Sequence, residues 1–123
     1  MADARVIHFE IVGKDGPGLQ RYYADLFGWD VDANNPMHYG IVAREGNLNK
    51  DGIGIGGGIA QGPDGYAGHV TFYVEVPDVE ATLAQAEAGG GTRMMGPEEV
   101  MEGLTIGLFT DPEGHVIGVM RSA

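Results

Sequence analysis

The chain contains no cysteine, so neither a disulfide framework nor a thiolate nucleophile is open to it. It carries only seven basic residues against eighteen acidic ones, a formal net charge of −11. Nucleic acids and anionic membrane surfaces are bound through clustered Lys and Arg, which this sequence does not supply. No apolar run approaches the length of a membrane span, and the first residues lack the apolar core of a signal peptide. The expectation is a soluble cytoplasmic protein with no nucleic-acid and no membrane partner. Its acidic field suits a cationic ligand as well as a plain solubilising surface. What is present is enough apolar residue for a core, 43% of 123 residues, in a chain sized for one domain.

The stretch from His69 to Gly91 organises the rest. Val70, Phe72, Val74 and Val76 alternate with His69, Thr71, Tyr73 and Glu75, the period of a strand with one apolar face. Pro77 ends the strand, Asp78 caps a helix, and Val79, Leu83 and Ala86 mark one helical face. Glu80 sits in the first turn, and Gly89-Gly90-Gly91 stops the helix. The same unit occurs earlier: Ile7, Phe9 and Ile11 alternate with Val6, His8, Glu10 and Val12. Asp15 then precedes a helical stripe of Leu19, Tyr22, Tyr23, Leu26 and Phe27, closed by Gly28. Asp15 and Asp78, Gly28 and Gly91, and Phe9 and Phe72 are each 63 residues apart. Three landmarks at one offset indicate an internal duplication.

Further strands are expected at Trp29–Ala33, His38–Arg44, Ile53–Ile59, Thr92–Met95, Leu104–Thr110 and His115–Met120. Asn34-Asn35-Pro36 and Asp111-Pro112-Glu113-Gly114 are turns, and residues 97–103 read as a polar loop. The chain therefore divides into two β-α-β-β-β modules, 1–60 and 66–123, joined by a linker at 61–65. The fold class is α+β: curved mixed sheets around a cleft, with helices on the outer face covering Ile7, Phe9 and Ile11 and Val70, Phe72 and Val74. The opposite faces carry His8 and Glu10 in one module and His69, Thr71, Tyr73 and Glu75 in the other.

Taken together, the two modules, the Tyr22-Tyr23-Ala24-Asp25-Leu26-Phe27-Gly28-Trp29 helix end, Val76-Pro77-Asp78-Val79-Glu80-Ala81, Gly90-Gly91-Thr92 and the Asp111–His115 turn resemble the vicinal oxygen chelate superfamily. Its members include glyoxalases, extradiol dioxygenases and bleomycin-resistance binding proteins. The resemblance implies a ligand-binding cleft and, in metal-dependent members, one metal ligand on the first and one on the last strand of each module. Carried onto this chain, the first-strand position of module one is His8. Its fourth-strand partner falls on Gly56 or Gly57, the first-strand position of module two on Thr71, with His69 two residues away, and the last on Gly118.

Two functions follow. In the first, the protein is a small-molecule receptor of the bleomycin-resistance type, without metal or other cofactor. It holds an aromatic or cationic compound through His8, Glu10, Trp29, His69, Thr71 and Tyr73. In the second, it is a glyoxalase-like lyase, isomerase or dioxygenase acting on vicinal oxygens, with Zn, Ni, Mn or Fe bound by His8 and His69. Glu10 is the candidate catalytic base, since His8 and Glu10 on one strand face form the one acid–base pair in the pattern. Tyr22, Tyr23 and Phe27 read as core. Exposed sheet edges and the resemblance point to a homodimer.

Overall fold

The structure, a computed structural model, describes residues 4–122. Elements follow the duplicated order: β1 (Arg5–Gly13), α1 (Gly16–Phe27), β2 (Val31–Asp32), β3 (Gly40–Val42) and β4 (Gly56–Gln61), then β5 (His69–Glu75), α2 (Val79–Ala88), β6 (Thr92–Met101), β7 (Leu104–Thr110) and β8 (Val116–Ser122). The fold is α+β, two β-α-β-β-β modules. The chain forms two compact units, one of residues His8–Val70 and one of Thr71 onward with the residues before His8. In the N-terminal unit the strands are ordered β2-β3-β4-β1, with β1 and β4 parallel and the other pairs antiparallel. In the C-terminal unit the order is β5-β8-β7-β6, again with one parallel pair, β5 and β8. No helix among the described residues is long and apolar enough to cross a membrane.

Both helices start where short acidic side chains can take an orphan backbone donor. Asp15 accepts from the Gly18 N–H at 3.0 Å, and Asp78 from the Ala81 N–H at 3.0 Å. Gly28 closes α1 in the left-handed conformation (φ 72°), a role that needs no Cβ. In the C-terminal unit, α2 presents Val79 and the fully buried Leu83 to Val76 and Val119, with Val74 and Phe109 packed against them.

Four expectations need correction. β6 continues into the expected polar loop as far as Met101, leaving Glu102 and Gly103 as the turn, and pairs with β7 past three register shifts that let the edge strand carry Pro97, which cannot donate into a ladder. β2 is only two residues long. On β5, Thr71 and Tyr73 are buried, while Val70 is 76% exposed and Phe72 39% exposed. The reason is length: the ten residues of α2 span about 15 Å and the seven of β5 about 23 Å. The helix covers Val74 but not the start of the strand. The α1 stripe is likewise only partly used, since Leu19 and Tyr23 are half-buried while Tyr22, Leu26 and Phe27 face solvent.

These placements have measurable consequences. Leu83→Ala is expected to cost about 2–5 kcal/mol in denaturant unfolding, as a cavity at a site without exposure. Val70→Ala should stay within about 0.5 kcal/mol of the parent chain. Equal losses would mean that α2 packs over the whole strand.

Candidate functional site

Alternation along β1 turns His8 and Glu10 to one face and Phe9 to the other. β4 runs beside it in parallel register, with Gly56 opposite His8, Gly57 opposite Phe9 and Gly58 opposite Glu10. The side-chain slots beside His8 and Glu10 are therefore empty on β4, and a tyrosine from the loop before β3 fills that space. A Cβ built on Gly58 would stand 2.0 Å from the ring of Tyr39, so only glycine fits beneath it. The Asn35 side chain clamps Tyr39 by its backbone, accepting from the Tyr39 N–H at 2.9 Å and donating to its carbonyl at 2.8 Å. Gln20 on α1 ties the same loop down through the carbonyls of His38 (3.1 Å) and Ile59 (2.8 Å).

The result is a continuous hydrogen-bonded chain within the N-terminal unit. The Tyr39 hydroxyl donates to Glu10 Oε2 at 2.8 Å and meets His8 Nε2 at 2.9 Å. His69 Nε2 meets Glu10 Oε1 at 2.8 Å, and His69 Nδ1 meets the Tyr66 hydroxyl at 2.6 Å. Glu10 is 8% exposed, and no buried side-chain polar atom among the described residues lacks a partner. Donor accounting orders the Glu10–Tyr39–His8 part of the chain. A Glu10 carboxylate accepts from the Tyr39 hydroxyl at Oε2 and from an Nε2–H of His69 at Oε1. Because Tyr39 donates to Glu10, its oxygen accepts from His8 Nε2–H.

Burial lowers the pKa of His8 below its ordinary 6.5, and the nearby Glu10 carboxylate only partly opposes this, so the imidazole is neutral near pH 7. Burial first, and Glu10 second, raise the pKa of Tyr66, which keeps its donor proton. A carboxylate bonded to one phenol and one imidazole, each backed by a further ring, can anchor a polar ligand or pass a proton, because a hydroxyl is able both to donate and to accept.

Of the residues singled out from sequence, His8, Glu10 and His69 come together here. Trp29 is elsewhere: it packs on Phe27, Phe9 and Tyr23 at ring distances of 5.0, 5.2 and 6.1 Å, on the Phe9 side of β1. Thr71 and Tyr73 belong to the C-terminal unit. Thr71 Oγ1 donates to the Val116 carbonyl at 2.5 Å, and Tyr73 is buried with its ring over Gly118. Tyr39 and Tyr66 were not anticipated. The available signal was the glycine run at 56–58, which leaves a strand face to be filled from another element.

The metal implied by the resemblance does not fit this arrangement. Among the described residues no group of three or more His, Cys, Asp and Glu side chains is placed to hold an ion. The Tyr39 hydroxyl bonds both His8 Nε2 and Glu10 Oε2, and both carboxylate oxygens are already engaged in hydrogen bonds.

The geometry sets two expectations. Glu10→Gln puts an amide donor against an existing donor, and unfolding should show a loss of about 1–3 kcal/mol. For His8, the folded pKa lies below the unfolded one, so the unfolded chain takes up the proton first and stability falls as pH drops below about 6.5. Melting temperatures measured between pH 7.5 and 5 should therefore fall less steeply in His8→Gln. Parallel pH profiles for the two proteins would contradict the placement of His8.

Comparison with known proteins agrees with the architecture. The family model described as Glyoxalase/Bleomycin resistance protein/Dioxygenase superfamily matches residues 5–119. A candidate glyoxylase, CFP32, from Mycobacterium bovis and from Mycobacterium tuberculosis is 28% identical over 109 residues, covering 88% of this chain and 42% of that protein. The chain thus spans less than half the length of these curated relatives. A variant of Streptomyces coelicolor methylmalonyl-CoA epimerase, solved with 2-nitronate-propionyl-CoA, has a TM-score of 0.60 at 18% identity over 99% of both chains. A glyoxalase/bleomycin resistance protein/dioxygenase superfamily member from Vibrio splendidus gives 0.57 at 17% identity, over 97% of this chain and 99% of that one. At such identities the structural likeness is one of fold. The family match over nearly the whole chain goes further: this protein belongs to the Glyoxalase/Bleomycin resistance protein/Dioxygenase superfamily.

Proposed function

We propose that the protein is a metal-free small-molecule receptor whose polar anchor is the Glu10-centred chain of His8, Tyr39, His69 and Tyr66. The observation that carries this reading is the buried carboxylate bonded to Tyr39 and His69, which are held in turn by His8 and Tyr66. Such a site offers a fixed negative charge to a cationic group and rotatable hydroxyls to neutral polar groups. The net charge of −11 attracts cationic compounds over longer range. His8 and Tyr39 lie nearly parallel, with ring centres 6.2 Å apart, and add a flat surface for an aromatic ligand.

Metal-independent proton transfer is a second reading, favoured by one feature. A neutral His8 in line with a phenol and a carboxylate is equipped to accept a proton near neutral pH. Metal-dependent glyoxalase-like chemistry, with His8 and His69 as ligands, is the weaker alternative because those nitrogens are engaged with Tyr39 and Glu10.

Cationic amines and aromatic compounds, titrated in the presence of a chelator, should include at least one that raises the melting temperature. Glu10→Gln should weaken its binding roughly 10- to 100-fold, the value of a charge-assisted hydrogen bond. If no compound of either class stabilises the protein, or if binding ignores Glu10, the receptor reading fails. Trp29 fluorescence is a poor probe for this purpose, since that ring sits within its own aromatic cluster.

A further inference from the structure

Aspartate precedes glycine three times in this chain, at Asp15–Gly16, Asp51–Gly52 and Asp64–Gly65, and asparagine never does. Such a pair can rearrange without an enzyme, because glycine has no side chain to hinder its own amide nitrogen. That nitrogen attacks Cγ of the aspartic acid, the N–Cγ bond forms, and the carboxyl hydroxyl leaves with the amide proton as water. Water then adds to the former main-chain carbonyl of the cyclic imide, the bond from that carbonyl to nitrogen breaks, and the chain runs on through Cγ. The isoaspartate so formed has the same mass and a free α-carboxylate. The attack needs an amide nitrogen and a carboxyl that can turn toward each other, and the three pairs differ in this.

At Asp15 both groups are committed. The carboxylate caps α1 through the Gly18 N–H at 3.0 Å, and the buried Gly16 gives its N–H to Gln61 Oε1 at 3.1 Å. At Asp51 the glycine is committed, its Gly52 N–H donating to the Asn49 carbonyl at 3.0 Å. The Asn49 side chain closes the same loop by accepting from the Asp51 and Ile53 N–H groups. At Asp64 neither group is tied. Both residues are exposed, and no hydrogen bond among the described residues engages the Asp64 carboxylate or the Gly65 N–H. We propose that Asp64 is a covalent modification site, the aspartate that rearranges spontaneously to isoaspartate, and that the change loosens the polar site from its Tyr66 end. Asp64 and Gly65 are the central residues of a turn closed by the Tyr66 N–H on the Pro63 carbonyl at 3.0 Å, with Gly65 at φ 84°. Isoaspartate adds a carbon to the backbone inside that closed ring. The turn then no longer sets Tyr66 where its hydroxyl meets His69 Nδ1 at 2.6 Å, and His69 is the partner of Glu10 Oε1.

The parent chain is aged for weeks at physiological pH and temperature, and isoaspartate is located by peptide mapping with fragmentation that distinguishes the two linkages. Each hydrogen bond that must first break slows the attack roughly two- to tenfold, so the product should appear first at residue 64 and more slowly at residues 51 and 15. Asp64→Glu, whose longer side chain closes a less favoured ring, should form none at that position. In NMR spectra of the aged parent, the imidazole nitrogens of His69 should shift in step with isoaspartate at residue 64, while those of the exposed His115 stay in place. The aged Asp64→Glu chain should show no such shift, and Asp64→Ser takes its place if Asp64→Glu does not melt cooperatively. Isoaspartate that appears first at residue 15 or 51 overturns the proposal. So does its absence at residue 64, or its presence there with the His69 signals unchanged. No ligand enters the experiment, so none of these outcomes bears on the receptor reading.

Discussion

A carboxylate that is taken out of water must find hydrogen-bond donors, and Glu10 is the point at which this fold meets that demand. Both oxygens accept, one from Tyr39 and one from His69, and those partners are held in turn by His8 and Tyr66. Much of the surrounding irregular structure exists to deliver them. The loop before β3 is clamped at Asn35 so that one phenol reaches the strand. The segment before β5 brings Tyr66 within reach of His69. Removing one partner leaves a buried group unsatisfied, which is why the network is either complete or costly.

The two modules repeat a plan and diverge in what they do with it. At the offset of 63 residues, His8 corresponds to Thr71 and Glu10 to Tyr73. In the C-terminal unit the hydroxyl of Thr71 is satisfied by the Val116 carbonyl, and Tyr73 is buried over Gly118. In the N-terminal unit the same positions hold an ionisable pair. A duplicated frame has thus kept its topology in both copies, while at these two strand positions the first copy alone carries a histidine and a glutamate. Fold and site chemistry are separable in this way because the sheet tolerates many residues on its polar face, while the helix-facing side must remain apolar.

Much of the architecture was legible in the order of residues. Asp15 and Asp78 before apolar stripes, with glycines after them, marked both helices, and period-two alternation marked β1 and β5. The errors share one cause, which is that local pattern does not report how far a neighbour reaches. Val70 and Phe72 alternate as core residues do, yet α2 stops short of them. Residues 97–103 have loop composition, yet β7 offers those up to Met101 a ladder that bulges can follow. His8, Glu10 and His69 were visible as site candidates because they fall on polar strand faces. Tyr39 and Tyr66 were not: Tyr39 fell inside the expected strand His38–Arg44, which in the structure begins only at Gly40, and Tyr66 stands in a loop that carries no period.

The sequence by itself determined the duplication, the helix ends, the strands that carry histidine and glutamate, and the absence of thiol chemistry, because these depend on short-range preferences and composition. Only the tertiary structure decided that a phenol from residue 39 stands between His8 and Glu10, and that Trp29 turns away from them. Those outcomes depend on contacts across tens of residues, where a missing side chain at Gly58 makes the room that Tyr39 fills.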